Sequence, residues 1–239
     1  MNSKISFALA GLTATLLAVA IAPAHAATLN KGFAAQPFLD TPLGGTTVAL
    51  RPELAGTVIE DVLTPFSFGA LNLTGTVQNR VVRETGAGTL DFYWRVEVYP
   101  QSTGGGVTAF RLGNFGYDNI VDADWRVDGL GSAAPHVGRV FNPASRPSGS
   151  INFLFTDPAV MPAGPTDPNG SSRFFFLHTD ATLYAKTALY DLLGGPNGTL
   201  SPTFSTFAPV PEPSSFVLMA VGLGAVGFAA RRRIAKANA

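Results

Sequence analysis

Between Thr89 and Tyr99 the chain alternates with a strict period of two. Leu90, Phe92, Trp94, Val96 and Val98 fall on one side, and Asp91, Tyr93, Arg95, Glu97 and Tyr99 on the other. Successive side chains of a strand point to opposite faces, so this segment reads as a β-strand with one buried and one polar face. The preceding run Leu73–Arg83, with Thr74, Thr76, Gln78 and Arg80 as its polar face, joins it through Gly86-Ala87-Gly88 and predicts a hairpin. Further strands are expected at Thr46–Leu50, Thr57–Leu63, Val107–Phe115, Ser150–Thr156 and Ser172–Thr179. In the last of these, Phe174-Phe175-Phe176-Leu177 is apolar on both faces, as an interior strand requires. Ala181–Leu193 could be capped as a helix by Asp180 and ended by Gly194, but Thr182, Tyr184, Thr187 and Tyr190 favour a strand there.

Turn signals punctuate these runs at Gly104-Gly105-Gly106, Asn142-Pro143, Asp157-Pro158, Asp167-Pro168-Asn169-Gly170 and Pro196-Asn197-Gly198. With 26 glycines, 18 prolines and only 13% charged residues, the composition suits many short strands better than a helical bundle. The expected fold is all-β: an antiparallel β-sandwich, with a jelly roll among its candidate topologies.

The chain has no cysteine, so disulfides, thiol nucleophiles and thiolate metal sites are excluded. Setting aside the two ends leaves 11 basic against 15 acidic side chains, a net of about −4, in a formally neutral chain. A mildly acidic body offers nothing to nucleic-acid phosphates, and no nucleic-acid partner is expected.

The N-terminus reads as a cleavable signal peptide. Lys4 supplies a positive start, Ile5–Ile21 is apolar apart from small or hydroxylated residues, and Pro23 precedes Ala24-His25-Ala26. That small-residue pattern places cleavage after Ala26, leaving Ala27 at the new N-terminus. At the other end, Phe216–Ala230 is 15 residues without a polar side chain, followed at once by Arg231, Arg232 and Arg233. As a helix it spans about 22 Å, short of the ~30 Å hydrocarbon core, a mismatch that snorkelling arginines and local thinning absorb. The arginines should stay cytoplasmic, which puts the body outside, in agreement with the N-terminal signal. Gly222, Gly224 and Gly227 fit the spacing of a dinucleotide loop. Only 12 residues follow, none acidic, so the match is spurious.

Directly before that helix stand Pro211-Glu212-Pro213, two prolines that deny the segment helix and sheet hydrogen bonds. Pro-Glu-Pro, a short Gly/Ala-rich apolar stretch and an arginine cluster, in that order at the C-terminus, resemble the PEP-CTERM sorting signal. The resemblance covers only about 30 residues. It implies an exosortase, an integral-membrane protease that recognises the tail and cleaves near the motif. It also implies a Gram-negative producer of extracellular polysaccharide. The expected organisation is a signal peptide at 1–26, a β-sandwich domain at 27–202, a Pro/Ser/Thr linker at 203–213, a transmembrane helix at 214–230 and a basic cytoplasmic tail at 231–239. The expected partners are the exosortase, the membrane and extracellular polysaccharide. The protein is anchored before processing and lies at the cell surface or outside the cell afterwards.

Chemistry is harder to find in the body. His136 and His178 are isolated in sequence, and neither a G-x-S-x-G elbow nor an H-E-x-x-H helix occurs. Asp118, Asp122, Asp124 and Asp128 form the one acidic cluster. Oxygen ligands of this kind suit Ca²⁺, but the EF-hand spacing fails. Turn-forming aspartates in a solvated loop is the preferred reading, and no metal or cofactor is expected. The leading functional expectation is a non-enzymatic surface or matrix protein. The alternative is a carbohydrate-binding module using Tyr93, Tyr99, Tyr117 or Trp125 as stacking platforms, an analogy from fold.

Overall fold

The computed structural model describes residues 26–29, 41–116, 120–140, 150–155, 160–162, 170–195 and 197–210. The strands are β1 (Ala27–Thr28), β2 (Thr41–Pro42), β3 (Gly56–Phe68), β4 (Leu73–Glu84), β5 (Leu90–Val98), β6 (Val107–Gly113) and β7 (Ile120–Trp125). They continue as β8 (His136–Val140), β9 (Ser150–Leu154), β10 (Phe175–Thr179), β11 (Tyr184–Gly194), β12 (Thr199–Leu200) and β13 (Phe204–Pro209), and a 3-10 turn spans Pro52–Leu54. Among the described residues no helix is long and apolar enough to cross a membrane. Residues 1–25 of the expected signal peptide 1–26, the expected helix 214–230 and the expected tail 231–239 lie outside the described residues.

The strands form two antiparallel sheets. One runs β1-β7-β10-β5-β4-β3; the other runs β12-β11-β6-β9-β8-β2, with β13 also on β11. Their inner faces share one core. Trp94 of the first sheet packs against Phe110 of the second with ring centroids 5.5 Å apart, and Phe175 against Phe153 at 4.5 Å. Fully burying each such ring contributes roughly 1.5–3 kcal/mol, which lets a cysteine-free domain hold itself by packing. The strand order β4-β5-β10-β7 over β13-β11-β6 is the Greek-key order of an immunoglobulin-type sandwich. The hairpin β8–β9 is added beside β6. β13 returns to β11, and β5 pairs with β10, so the topology is not a jelly roll.

The five apolar residues of β5 are buried in the core as expected, but the opposite face is covered too: Asp91 and Tyr93 are buried as well. β10 lies between β5 and β7, which explains why Phe174-Phe175-Phe176-Leu177 needs no polar face. The segment from Tyr184 to Gly194 is a strand, as its β-branched and aromatic residues indicate.

Two expectations are corrected. Thr46–Leu50 is not a strand: Thr46 makes one isolated bridge to Arg126, and Thr47 O then accepts from the N–H of Arg51 at 2.9 Å as the chain turns into Pro52–Leu54. Gly45 (φ +75°) before it and Pro52 after it leave no room for an extended run. The stretch from Thr203 to Pro209 is not spacer. Phe204–Pro209 pairs with β11, and Phe207 and Ala208 are buried. Its prolines misled because Pro209 ends a strand that carries a partner on one side only, where a missing N–H is tolerated.

Candidate functional site

The outer face of the first sheet is polar where β5, β10 and β7 meet. Pairing sets Asp91 of β5 opposite His178 of β10, and His178 opposite Asp122 of β7, in one row across three strands. Glu84, the last residue of β4, reaches the same spot from the β4–β5 hairpin, whose Thr89 hydroxyl donates to Glu84 Oε2. His178 Nδ1 lies 2.8 Å from Asp91 Oδ1 and 3.1 Å from Glu84 Oε1. Asp91 is fully buried and Glu84 nearly so, while the His178 side chain keeps 15% of its surface.

The turn that replaces the expected strand covers this face. Arg51 forks onto Asp122 at 3.1 and 3.0 Å, and its Nε donates to Glu53 at 2.8 Å. Leu54 packs with Val82, Tyr93, Phe174 and Phe176 into a second small core, which is why these outward positions are apolar. Gly45 N–H and Trp125 N–H both donate to Asp124 Oδ1, at 2.8 and 2.9 Å.

Burial pushes the Asp91 carboxyl up to about 6, and the nearby charges of Glu84 and Asp122 add to the push against the opposing contact with His178. Burial works against a charged His178, but the hydrogen bond and charge of Asp91, with Asp122 and Glu84, outweigh it and raise the imidazole above its ordinary value. Arg51 is likewise raised, burial being outweighed by Asp122 and Glu53. Glu84, Asp91 and His178 each place one ligand atom within 4.8 Å of the others, so they are the described residues that together could hold a metal ion. The Thr89 hydroxyl donates to Glu84 Oε2 and leaves Oε1 to the cluster.

The expected site residues are scattered. Ala26 is half-buried and Ala27 begins β1, paired with Ala123 at the edge of the first sheet. Asp122 and Asp124 lie on a strand, not in a solvated loop; one is held by Arg51 and the other by two backbone N–H groups. Asp118 and Tyr117, together with Pro211, Glu212, Pro213, Arg231, Arg232 and Arg233, lie outside the described residues. Tyr93 is buried and cannot serve as a stacking platform, because the turn at 51–54 covers it. Trp125 is half-buried, donates to Leu43 O at 3.2 Å and sits under Arg173. Glu84 and Asp91 did not stand out in the sequence, being ordinary polar positions flanking a hairpin. The signal that could have found them is that a strand expected to be interior carries a histidine, His178, next to its last residue.

A groove of about 640 Å³ lies on the same outer face, with Arg80, Arg126, Asp128, Phe174 and Leu130 in its lining. The Arg80 guanidinium stands 4.7 Å from the centre of the Phe174 ring, and Arg126 pairs with Asp128 at 2.7 Å.

Comparison with known families finds the PEP-CTERM protein-sorting motif at residues 209–233. No curated protein and no solved structure matches the chain. The chain thus carries a sorting motif at its C-terminus, one that implies an exosortase as processing partner and export toward the cell surface.

Proposed function

We propose that this protein is a cell-surface or matrix component, delivered by its C-terminal motif and cut there by an exosortase, with a non-enzymatic β-sandwich as its body. The observation that carries this reading is the sorting motif, which begins at Pro209, the residue where β13 ends. The last described strand thus runs up to the start of the motif. The N-terminal signal supports the same topology, since removal after Ala26 leaves β1 as the first structural element. Anchoring through the segment 214–230 precedes processing, and the arginines at 231–233 keep the last residues cytoplasmic.

The test is mass spectrometry of both termini of the protein recovered from its native host, with and without the exosortase. The expected mature species starts at Ala27, ends near Pro211–Pro213 and reaches the surface only when the enzyme is present. Surface protein that still carries Ala239 in the wild-type host would overturn the proposal.

A second reading, carbohydrate binding, draws on the groove beside Arg80 and Arg126, whose guanidinium groups, paired with Asp61 and Asp128, keep further N–H donors for sugar hydroxyls. Retardation of the protein in gels containing the host's own polysaccharide, lost in Arg80→Ala with Arg126→Ala, would support it. Unretarded migration of the wild-type protein would leave the structural reading alone.

A further inference from the structure

We propose that Glu84, Asp91 and His178 form a binding site for one divalent transition-metal cation, which ties the β4–β5 hairpin to β10. The trio is not a set of surface carboxylates. Asp91 is fully buried, Glu84 is 4% exposed, and the third member is an imidazole. Two carboxylate oxygens here, Glu84 Oε1 and Asp91 Oδ2, are buried and receive no hydrogen bond. Glu84 Oε1 is aimed into the cluster, 3.1 Å from His178 Nδ1. A single proton on Nδ1 serves one carboxylate, and it goes to Asp91 at 2.8 Å, so Glu84 Oε1 is left unserved.

A cation resolves this arrangement. Ligand atoms bonded at about 2.1 Å to one metal lie about 3 Å apart at octahedral angles and about 3.4 Å apart at tetrahedral ones, so Nδ1 and the two carboxylate oxygens, at 2.8 and 3.1 Å, need to part by a few tenths of an ångström at most to admit one. Two carboxylates and a neutral imidazole carry the charge that a divalent ion neutralises. Asp122 is not needed as a ligand, since the Arg51 fork occupies both of its oxygens. The Thr89 hydroxyl, bonded to the other oxygen of Glu84, orients that carboxylate from outside. One imidazole among oxygens favours Zn²⁺ or Mn²⁺ over Ca²⁺ and Mg²⁺, which prefer oxygen alone. In a chain with no cysteine, such a cross-strand tie does the work that a disulfide does elsewhere.

The experiment uses the full-length chain in detergent, stripped with EDTA and titrated separately with Zn²⁺, Mn²⁺, Ca²⁺ and Mg²⁺. Expected are saturable binding of one Zn²⁺ or Mn²⁺ per chain and a rise in melting midpoint of ~5 °C or more. Both effects are lost in Glu84→Gln and His178→Gln, and kept in His136→Gln. If the site variants do not fold, zinc-edge X-ray absorption on the wild-type protein decides: one imidazole among oxygen ligands supports the site. Absence of binding, binding that survives in folded His178→Gln, or a zinc shell without imidazole overturns it.

Discussion

The indole N–H of Trp94 donates to the hydroxyl of Thr206 at 2.9 Å, across 112 residues of chain and from one sheet to the other. The Thr206 hydroxyl in turn donates to Asn79 Oδ1 at 3.0 Å, and Asn79 Nδ2 donates to the Thr64 hydroxyl at 3.1 Å. This buried polar chain fixes β13, the strand that leads into the sorting motif, to the largest aromatic residue of the core. Thr206→Val keeps the shape but strands Trp94 N–H and Asn79 Oδ1. A loss of ~1–3 kcal/mol in urea unfolding is expected, with Thr206→Ser retaining most of the stability.

Arg51 is the guanidinium that neutralises Asp122 beside two other carboxylates. Arg51→Ala leaves that charge uncompensated and removes the cover over Phe176. A stability loss of ~3 kcal/mol is expected by chemical denaturation, with Arg51→Lys recovering only part because the fork is gone.

Gly45 is a third point of control. Its φ is +75°, and a Cβ there would sit 2.5 Å from the Trp125 ring. Gly45→Ala should cost ~1–3 kcal/mol and change the Trp125 fluorescence, since the ring or the turn must give way.

In metal-free protein, stability should fall as pH rises. The folded value of Asp91, about 6, lies above its ordinary 3.8, so its contribution is complete below about 4 and is lost up to and through about 6. The folded value of His178 lies above 6.5, so its contribution is complete below 6.5 and is lost as pH climbs through the raised value. The groups facing them are Glu84 on β4, Asp122 on β7, and Arg51 and Glu53 on the covering turn. Melting midpoints of EDTA-treated protein, read from pH 5 to pH 8, should decline, and Asp91→Asn with His178→Gln should flatten the decline.

For the sorting tail, Glu212→Ala with Pro211→Ala should accumulate as an uncut, membrane-bound form in the native host. Unchanged size and surface yield on immunoblots of cell fractions would count against a role for these residues.

The legible parts of the fold were those governed by local pattern. The hairpin β4–β5 follows from alternation about a glycine turn, and β10 was readable as interior because Phe174–Leu177 leaves no face for water. Thr46–Leu50 failed because β-branched residues score as strand whether or not a neighbouring strand is available. The turn there is decided by Gly45 and by Arg51 reaching Asp122. Phe204–Pro209 failed in the opposite direction: prolines and hydroxyl residues look like spacer until β11 supplies a partner on one side.

Sequence alone determined the class of the domain and the presence of a sorting tail, since strand periodicity and the order Pro-Glu-Pro, apolar stretch, arginines are contiguous properties of the chain. Which sheet each strand joins, and hence that Asp91, His178 and Asp122 share one row with Glu84 beside them, was decided only in three dimensions. His178 stands 87 residues from Asp91. The contacts between them follow from strand pairing and register, and register is set by packing the whole core at once rather than by any local run of residues.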